Sequence, residues 1–170
     1  GFLDLYVANY VRYDAGKRCT DPSDRNEYCG PRSFNGAPDQ LWHNAGNGTF
    51  TDVTHRAGVV LPQDDARGHG LGVVITDLTR DGRADIFVAN DAQANQLWVN
   101  QGDGRFVDEG IARGVALDPN GRTEANMGVA LGDVDDRPGP RWGVWPCAAL
   151  QPVRDRSRPR ARRGSPAAVE

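Results

Sequence analysis

The sequence predicts an all-β chain that forms part of a β-propeller, about two blades of a larger ring, followed by a disordered Arg/Pro-rich tail. Three observations point there. The chain repeats itself: DQLWHNAGNGTFTDVTHRAGV at 39–59 matches NQLWVNQGDGRFVDEGIARGV at 95–115, an offset of 56 residues. Each unit carries about four short runs rich in β-branched and aromatic residues, the residues that suit a pleated, half-buried surface. Between the runs stand Asp-Gly turns, Asp81-Gly82 and Gly102-Asp103-Gly104 among them, where glycine tolerates positive φ. Four strands per unit, repeated, is the signature of a propeller blade. A β-sandwich or a solenoid of similar turn density is the alternative.

The elements follow in order. GFLDLYVANY at 1–10 matches GRADIFVAND at 82–91 with an offset of 81, so the first unit holds an insertion of 25 residues within about 11–37. The second unit is complete, with strands expected at 72–76, 85–90, 96–100 and 105–108. A third begins where MGVALGDVDDRP at 127–138 echoes LGVVITDLTRDG at 71–82. The recurrence of Trp42 at Trp98, and of Phe50 at Phe106, predicts blade packing at both pairs.

Residues 77–85 carry the most chemistry. Asp77, Thr79, Asp81 and Asp85 fall at positions 1, 3, 5 and 9 of a loop with Gly82 at position 6. That alternation resembles the first half of an EF-hand loop, and the backbone carbonyl of Arg83, at position 7, adds a further oxygen. Crowded hard oxygens favour Ca²⁺ over softer metals. Two features differ from an EF-hand: Val88 takes the place of a bidentate Glu at position 12, and the loop joins strands rather than helices. The competing reading is a polar hairpin turn. No strong metal site is expected in the other copies. The first retains only Gly1 and Asp4, and the third has Asp133 and Asp135 but Arg137 at position 5.

Together these residues resemble the FG-GAP, or VCBS, repeat. Its blade pairs an acidic calcium loop with a strand ending V-A-N and an N-x-L-(aromatic)-x-N-x-G-(D/N)-G-x-F segment. Residues 77–85, Val88-Ala89-Asn90 and residues 95–106 fill that pattern, and its second half recurs at 39–50. The Cys/Pro-bearing insertion is similar to a loop in bacterial relatives of cartilage acidic protein, which join FG-GAP repeats to an ASPIC/UnbV domain. No ASPIC/UnbV pattern occurs within these residues. The resemblance covers about residues 1–136 and implies a seven-bladed, integrin-α-like propeller, extracellular or periplasmic, with calcium between the first two strands of a blade. Thr79 departs from the Asp or Asn usual at its position.

Cys19 and Cys29 lie ten residues apart in the insertion, either as free thiols or as a disulfide. The resemblance implies the disulfide, and with it an oxidising compartment. Cys147 is the odd cysteine. His43, His55 and His69 share no ligand or catalytic spacing and read as surface or structural residues. None of Ser23, Ser33, Ser157 and Ser165 sits in a G-x-S-x-G elbow, and no phosphate-cradling glycine loop precedes the one lysine, Lys17.

Charge divides the chain. Residues 1–136 hold 12 basic and 21 acidic side chains, whereas 137–170 hold 8 Arg and 2 acids. The break falls within the third acidic loop, at Arg137-Pro138-Gly139-Pro140-Arg141. A reading-frame change in GC-rich coding sequence explains that position best. A genuine basic tail, or a fold that ends here, are the other readings. The mean hydropathy of −0.60 and the lack of any run of about 18 apolar residues exclude a bilayer-spanning helix. No signal peptide is visible.

The function expected is a Ca²⁺-binding, non-catalytic module for extracytoplasmic protein or carbohydrate interaction. Its partners would be other blades or chains that complete the ring, and a protein or glycan ligand, with nucleic acid not expected. The alternative is an accessory or catalytic domain of a propeller-type hydrolase. Fold alone does not exclude it, but it would need convergent acid or nucleophile groups that are scarce here, with Glu27, Glu109 and Glu124 the only glutamates before the tail.

Overall fold

The computed structural model describes residues 1–61, 68–131, 143–144 and 151–152. The second repeat folds as a four-stranded antiparallel sheet: β6 (Gly70–Thr76), β7 (Asp85–Asn90), β8 (Gln96–Asn100) and β9 (Phe106–Asp108), in that order. The first repeat gives a three-stranded sheet of β1 (Leu5–Val7), β4 (Gln40–Asn44) and β5 (Phe50–Asp52). Registers repeat as well as strands. Leu5 opposes Trp42 as Ile86 opposes Trp98, and Trp42 opposes Asp52 as Trp98 opposes Asp108.

Strand alternation places the core on both faces of the second sheet. Ile86, Val88 and Trp98 pack against Leu41, Val53, Ala57 and Val59 of the first repeat. Phe87, Ala89, Leu97 and Val99 face the other way, onto Leu78, Val115 and Val129. β7 is therefore buried along its whole length. The repeats are further joined by a Phe106 amide donating to the Ala57 carbonyl at 2.7 Å and by the Tyr10 hydroxyl donating to Asp91 at 2.6 Å.

Several expectations shift. The first strand starts at Gly70, not Gly72, with a bulge between them, and the last starts at Phe106. A Cβ on Gly72 would come within 2.9 Å of Val129 Cγ2, so glycine there lets the next segment approach. A single helical turn, α1 (Gly110–Arg113), was not expected; it ends on Gly114 at φ 73°. Packing at both recurrent Phe positions is corrected. Phe106 packs on the preceding unit's core, whereas Phe50 is 45% exposed and stands outside both core clusters of the described residues.

The insertion occupies the β1–β4 connection, where the second repeat has only the short link between β7 and β8. Its hairpin, β2 (Cys19–Thr20) with β3 (Asn26–Glu27), is closed by the Cys19–Cys29 disulfide. A Val11–Gly36 bridge closes its base. Inside, Phe34 is flanked by Tyr13 and by the Lys17 ammonium, which also donates to the Ser33 carbonyl. Asp21 accepts the Ser23 and Arg25 amides, and the Arg25 amide is the main cause of its lowered pKa. Because the hairpin stands outside both cores, a Cys19→Ala/Cys29→Ala variant is expected to keep its sheet circular dichroism but lose local order. The loop-closure contribution is about 2–3 kcal/mol. Limited proteolysis should then cut within 12–35 faster than in the parent, and an unchanged rate would count against this.

Of the tail, only β10 (Gly143–Val144) and β11 (Gln151–Pro152) are described, as an antiparallel pair. The expected disorder, the frame change, Cys147 and the third acidic loop with Asp133, Asp135 and Arg137 otherwise lie outside the described residues. Among the described residues no helix is long and apolar enough to cross a membrane.

Candidate functional site

The 77–85 loop folds as backbone amides gathered around two carboxylates. Asp77 accepts the amides of Asp81 at 3.1 Å and Gly82 at 2.9 Å. Asp85, fully buried at the start of β7, accepts Leu78 and Thr79 through one oxygen, at 3.1 and 3.0 Å, and Asn100 through the other, at 3.0 Å. Gly82, at φ 83°, makes the turn between them. Leu78 anchors the loop in the core beneath.

Asp81 lies outside this cradle. It accepts the Arg83 amide at 2.9 Å and pairs with the Arg83 guanidinium at 2.6 Å, while Arg83 Nε donates to the Asn100 carbonyl. Thr79 contributes the one polar side-chain atom of the loop that is buried without a hydrogen-bond partner, its Oγ1. Among the described residues no three His, Cys, Asp or Glu side chains gather as a metal-holding group. The five oxygen sources named from the sequence thus share one loop but divide their work. Asp77 and Asp85 already hold amides, Asp81 holds Arg83, and Thr79 Oγ1 is uncommitted.

The first repeat shows the same construction in an open setting. Asp4 takes the Asp85 position and accepts the Asn44 amide at 2.8 Å, with His43 Nδ1 at 2.9 Å from the same oxygen. Asn44 Nδ2 donates to the Leu3 carbonyl as Asn100 Nδ2 donates to the Ala84 carbonyl, both at 3.1 Å. The asparagines of the repeat motif are structural too. Asn95 Oδ1 accepts the Asn90 amide and Asn126 Nδ2, each at 2.9 Å, and Asn90 Nδ2 donates to Gln96 at 2.7 Å.

Sequence reasoning missed two inter-element pairs. Tyr6 donates to Asp39 at 2.7 Å, and Asp39 also accepts the Asn9 amide at 2.8 Å. Burial raises the pKa of both groups, and for Tyr6 the Asp39 charge adds to it. The available signal was covariation between repeats, since Tyr6 and Asp39 stand where Phe87 and Asn95 stand. The second pair is Tyr10 with Asp91, where burial and then the Asp91 hydrogen bond push the phenol up to about 12. His69 is buried behind it at 2% exposure, its ring edge-on to Tyr10 and Nδ1 3.3 Å from the Asp91 carbonyl, a structural position. His43 and His55 are exposed.

The repeat, the shared registers and the amide-filled acidic loop have a counterpart among known families. The FG-GAP-like repeat family matches residues 1–88 and 77–136. The chain belongs to that family. The sheets are accordingly propeller blades, and the described part is a partial, nearly all-β propeller. This FG-GAP-like chain is similar to Cartilage acidic protein 1 of Mus musculus, at 42% identity over 74 residues, and of Homo sapiens, at 40% over 74 residues. The Xenopus tropicalis protein of the same name is 38% identical over 74 residues. In each case the match spans 42% of this chain and 11% of the relative.

Proposed function

We propose that this chain is a calcium-supported interaction module that works outside the cytoplasm and carries out no chemistry of its own. The observation that supports calcium most directly is the buried, unpartnered Thr79 Oγ1 within a loop whose other donors are carboxylates and a carbonyl. A hard-oxygen donor set of this kind fits a Ca²⁺ ion. Asp77, Thr79, Asp81, Asp85 and the Arg83 carbonyl would hold it. The ion would cross-link the end of β6 to the start of β7. Binding through Asp81 competes with the Arg83 guanidinium, so affinity is expected to be modest. The disulfide supports an oxidising compartment, hence the extracellular or periplasmic setting. Other blades or chains that complete the ring, and a protein or glycan ligand, are the partners proposed.

Calorimetric titration with Ca²⁺ tests the metal reading, using the parent and Asp81→Asn. Asp81 is chosen because its carboxylate lies outside the cradle, so the variant keeps the loop. The parent should release or absorb heat and melt at higher temperature in Ca²⁺, and the variant should show a weaker effect. Neither heat nor a melting shift in the parent would reject the site.

A further inference from the structure

We infer that Asn47 is a site of spontaneous deamidation, and that the first repeat's turn is built to accept the aspartate that results. Three Asn-Gly pairs occur among the described residues: Asn35-Gly36, Asn47-Gly48 and Asn120-Gly121. The dipeptide is the same in each, so any difference in reactivity comes from the fold.

The reaction begins when the amide nitrogen of the following glycine attacks the asparagine Cγ. The glycine nitrogen gives up its N–H proton to solvent as the N–Cγ bond forms, the Cγ–Nδ2 bond breaks, and the departing nitrogen takes a proton from solvent and leaves as ammonia. Water then opens the five-membered succinimide at one of its two carbonyls, giving aspartate or isoaspartate. The net change is amide plus water to carboxylate plus ammonium, with no oxidation. The attacking nitrogen must be free of other bonds and reached by water, and the Cγ carbonyl reacts faster when its oxygen is hydrogen-bonded, because charge develops there.

Only Asn47 meets these conditions. Asn47 and Gly48 are both exposed, at the tip of the β4–β5 turn. Among the described residues no acceptor takes the Gly48 N–H, and nothing stands within 4 Å of the place its Cβ would occupy. Asn47 Oδ1 receives both the Thr49 amide at 3.1 Å and the Thr49 hydroxyl at 2.6 Å. The other pairs are guarded. The Gly121 N–H is committed to the Asp118 carbonyl at 3.0 Å, and Asn120 Nδ2 points back to Asp118. Gly36 is buried in its bridge to Val11.

The second repeat shows that the product fits. Asp103 stands at the position equivalent to Asn47, and its Oδ1 accepts the Arg105 amide at 3.1 Å, the same bond that Asn47 Oδ1 makes to Thr49. An aspartate at 47 therefore reproduces a turn the molecule already contains.

The test is peptide mapping by mass spectrometry after the 170-residue chain has aged at mildly alkaline pH, alongside a denatured and reduced sample. In the folded chain Asn47 should convert severalfold faster than Asn35 and Asn120. In the denatured sample the three rates should converge. Equal rates in the folded chain would overturn the assignment, as would a rate at Asn47 below the other two. Asn47→Asp should melt at the parent temperature, and a clear loss of stability would overturn the claim that the turn accepts the product. Thr49→Val should slow Asn47 alone.

Discussion

Asp85→Ala is expected to destabilise the chain by roughly 3–5 kcal/mol, a large share of the stability of an ordinary domain. The side chain is fully buried and satisfies the Leu78, Thr79 and Asn100 amides at once. Alanine leaves these donors facing a small hole, each with a desolvation cost of about 1–3 kcal/mol before relaxation. Asp85→Asn should cost nearly as much, because its Nδ2 would meet a backbone N–H donor to donor. Asp4 performs the equivalent task at a position 48% exposed, where water can replace it. Asp4→Ala should therefore cost only about 0.5–1.5 kcal/mol. Urea unfolding followed by far-UV circular dichroism measures both, with chelator present throughout. Chelator matters because it separates two roles. A carboxylate that served only as a calcium ligand would be neutral to remove without calcium, so equal stability of Asp85→Ala and parent in chelator would refute the structural role.

That contrast shows where the sequence was informative and where it was not. The 56-residue offset specified the strands, because recurrence of the Leu-Trp pair and of the Gly-x-Gly turn reflects burial and turn geometry that every blade must satisfy. The paired registers of Leu5 with Trp42 and Ile86 with Trp98 bear this out. Spacing also identified the acidic loop as special. It could not say that Asp85 turns inward to backbone amides, since ligand and amide acceptor call for the same residue type. The helical turn at Gly110–Arg113 was illegible for another reason: four residues are too few to show a period. The exposure of Phe50, against the packing of Phe106 at the equivalent position, depends on what each ring meets in space, which local pattern does not record.

The Tyr6–Asp39 pair gives the second large effect. Tyr6→Phe removes the hydroxyl that bonds a half-buried carboxylate, and a bond to a charged group is worth about 1.5–3 kcal/mol. Asp39→Asn should be close to neutral or stabilising, because it removes a charge from a desolvated position while keeping an acceptor for the Asn9 amide. The double variant rebuilds the second repeat's own arrangement, Phe87 with Asn95. There Asn95 Nδ2 donates to the Val115 carbonyl, and the equivalent carbonyl for residue 39 is that of Val59. The double variant should consequently be more stable than Tyr6→Phe alone, with a coupling of about 1–2 kcal/mol in the thermodynamic cycle. Acid sharpens the test. Burial raises the folded-state pKa of Asp39, so the folded chain holds that proton more tightly than the unfolded one. The cost of the charge is fully present above the folded pKa and vanishes below the unfolded pKa. The melting advantage of Asp39→Asn over the parent should accordingly be largest near pH ~7 and shrink toward pH ~3. An advantage that grows as pH falls would mean that Asp39 is stabilised as a carboxylate, and that the hydroxyl and the Asn9 amide outweigh its desolvation.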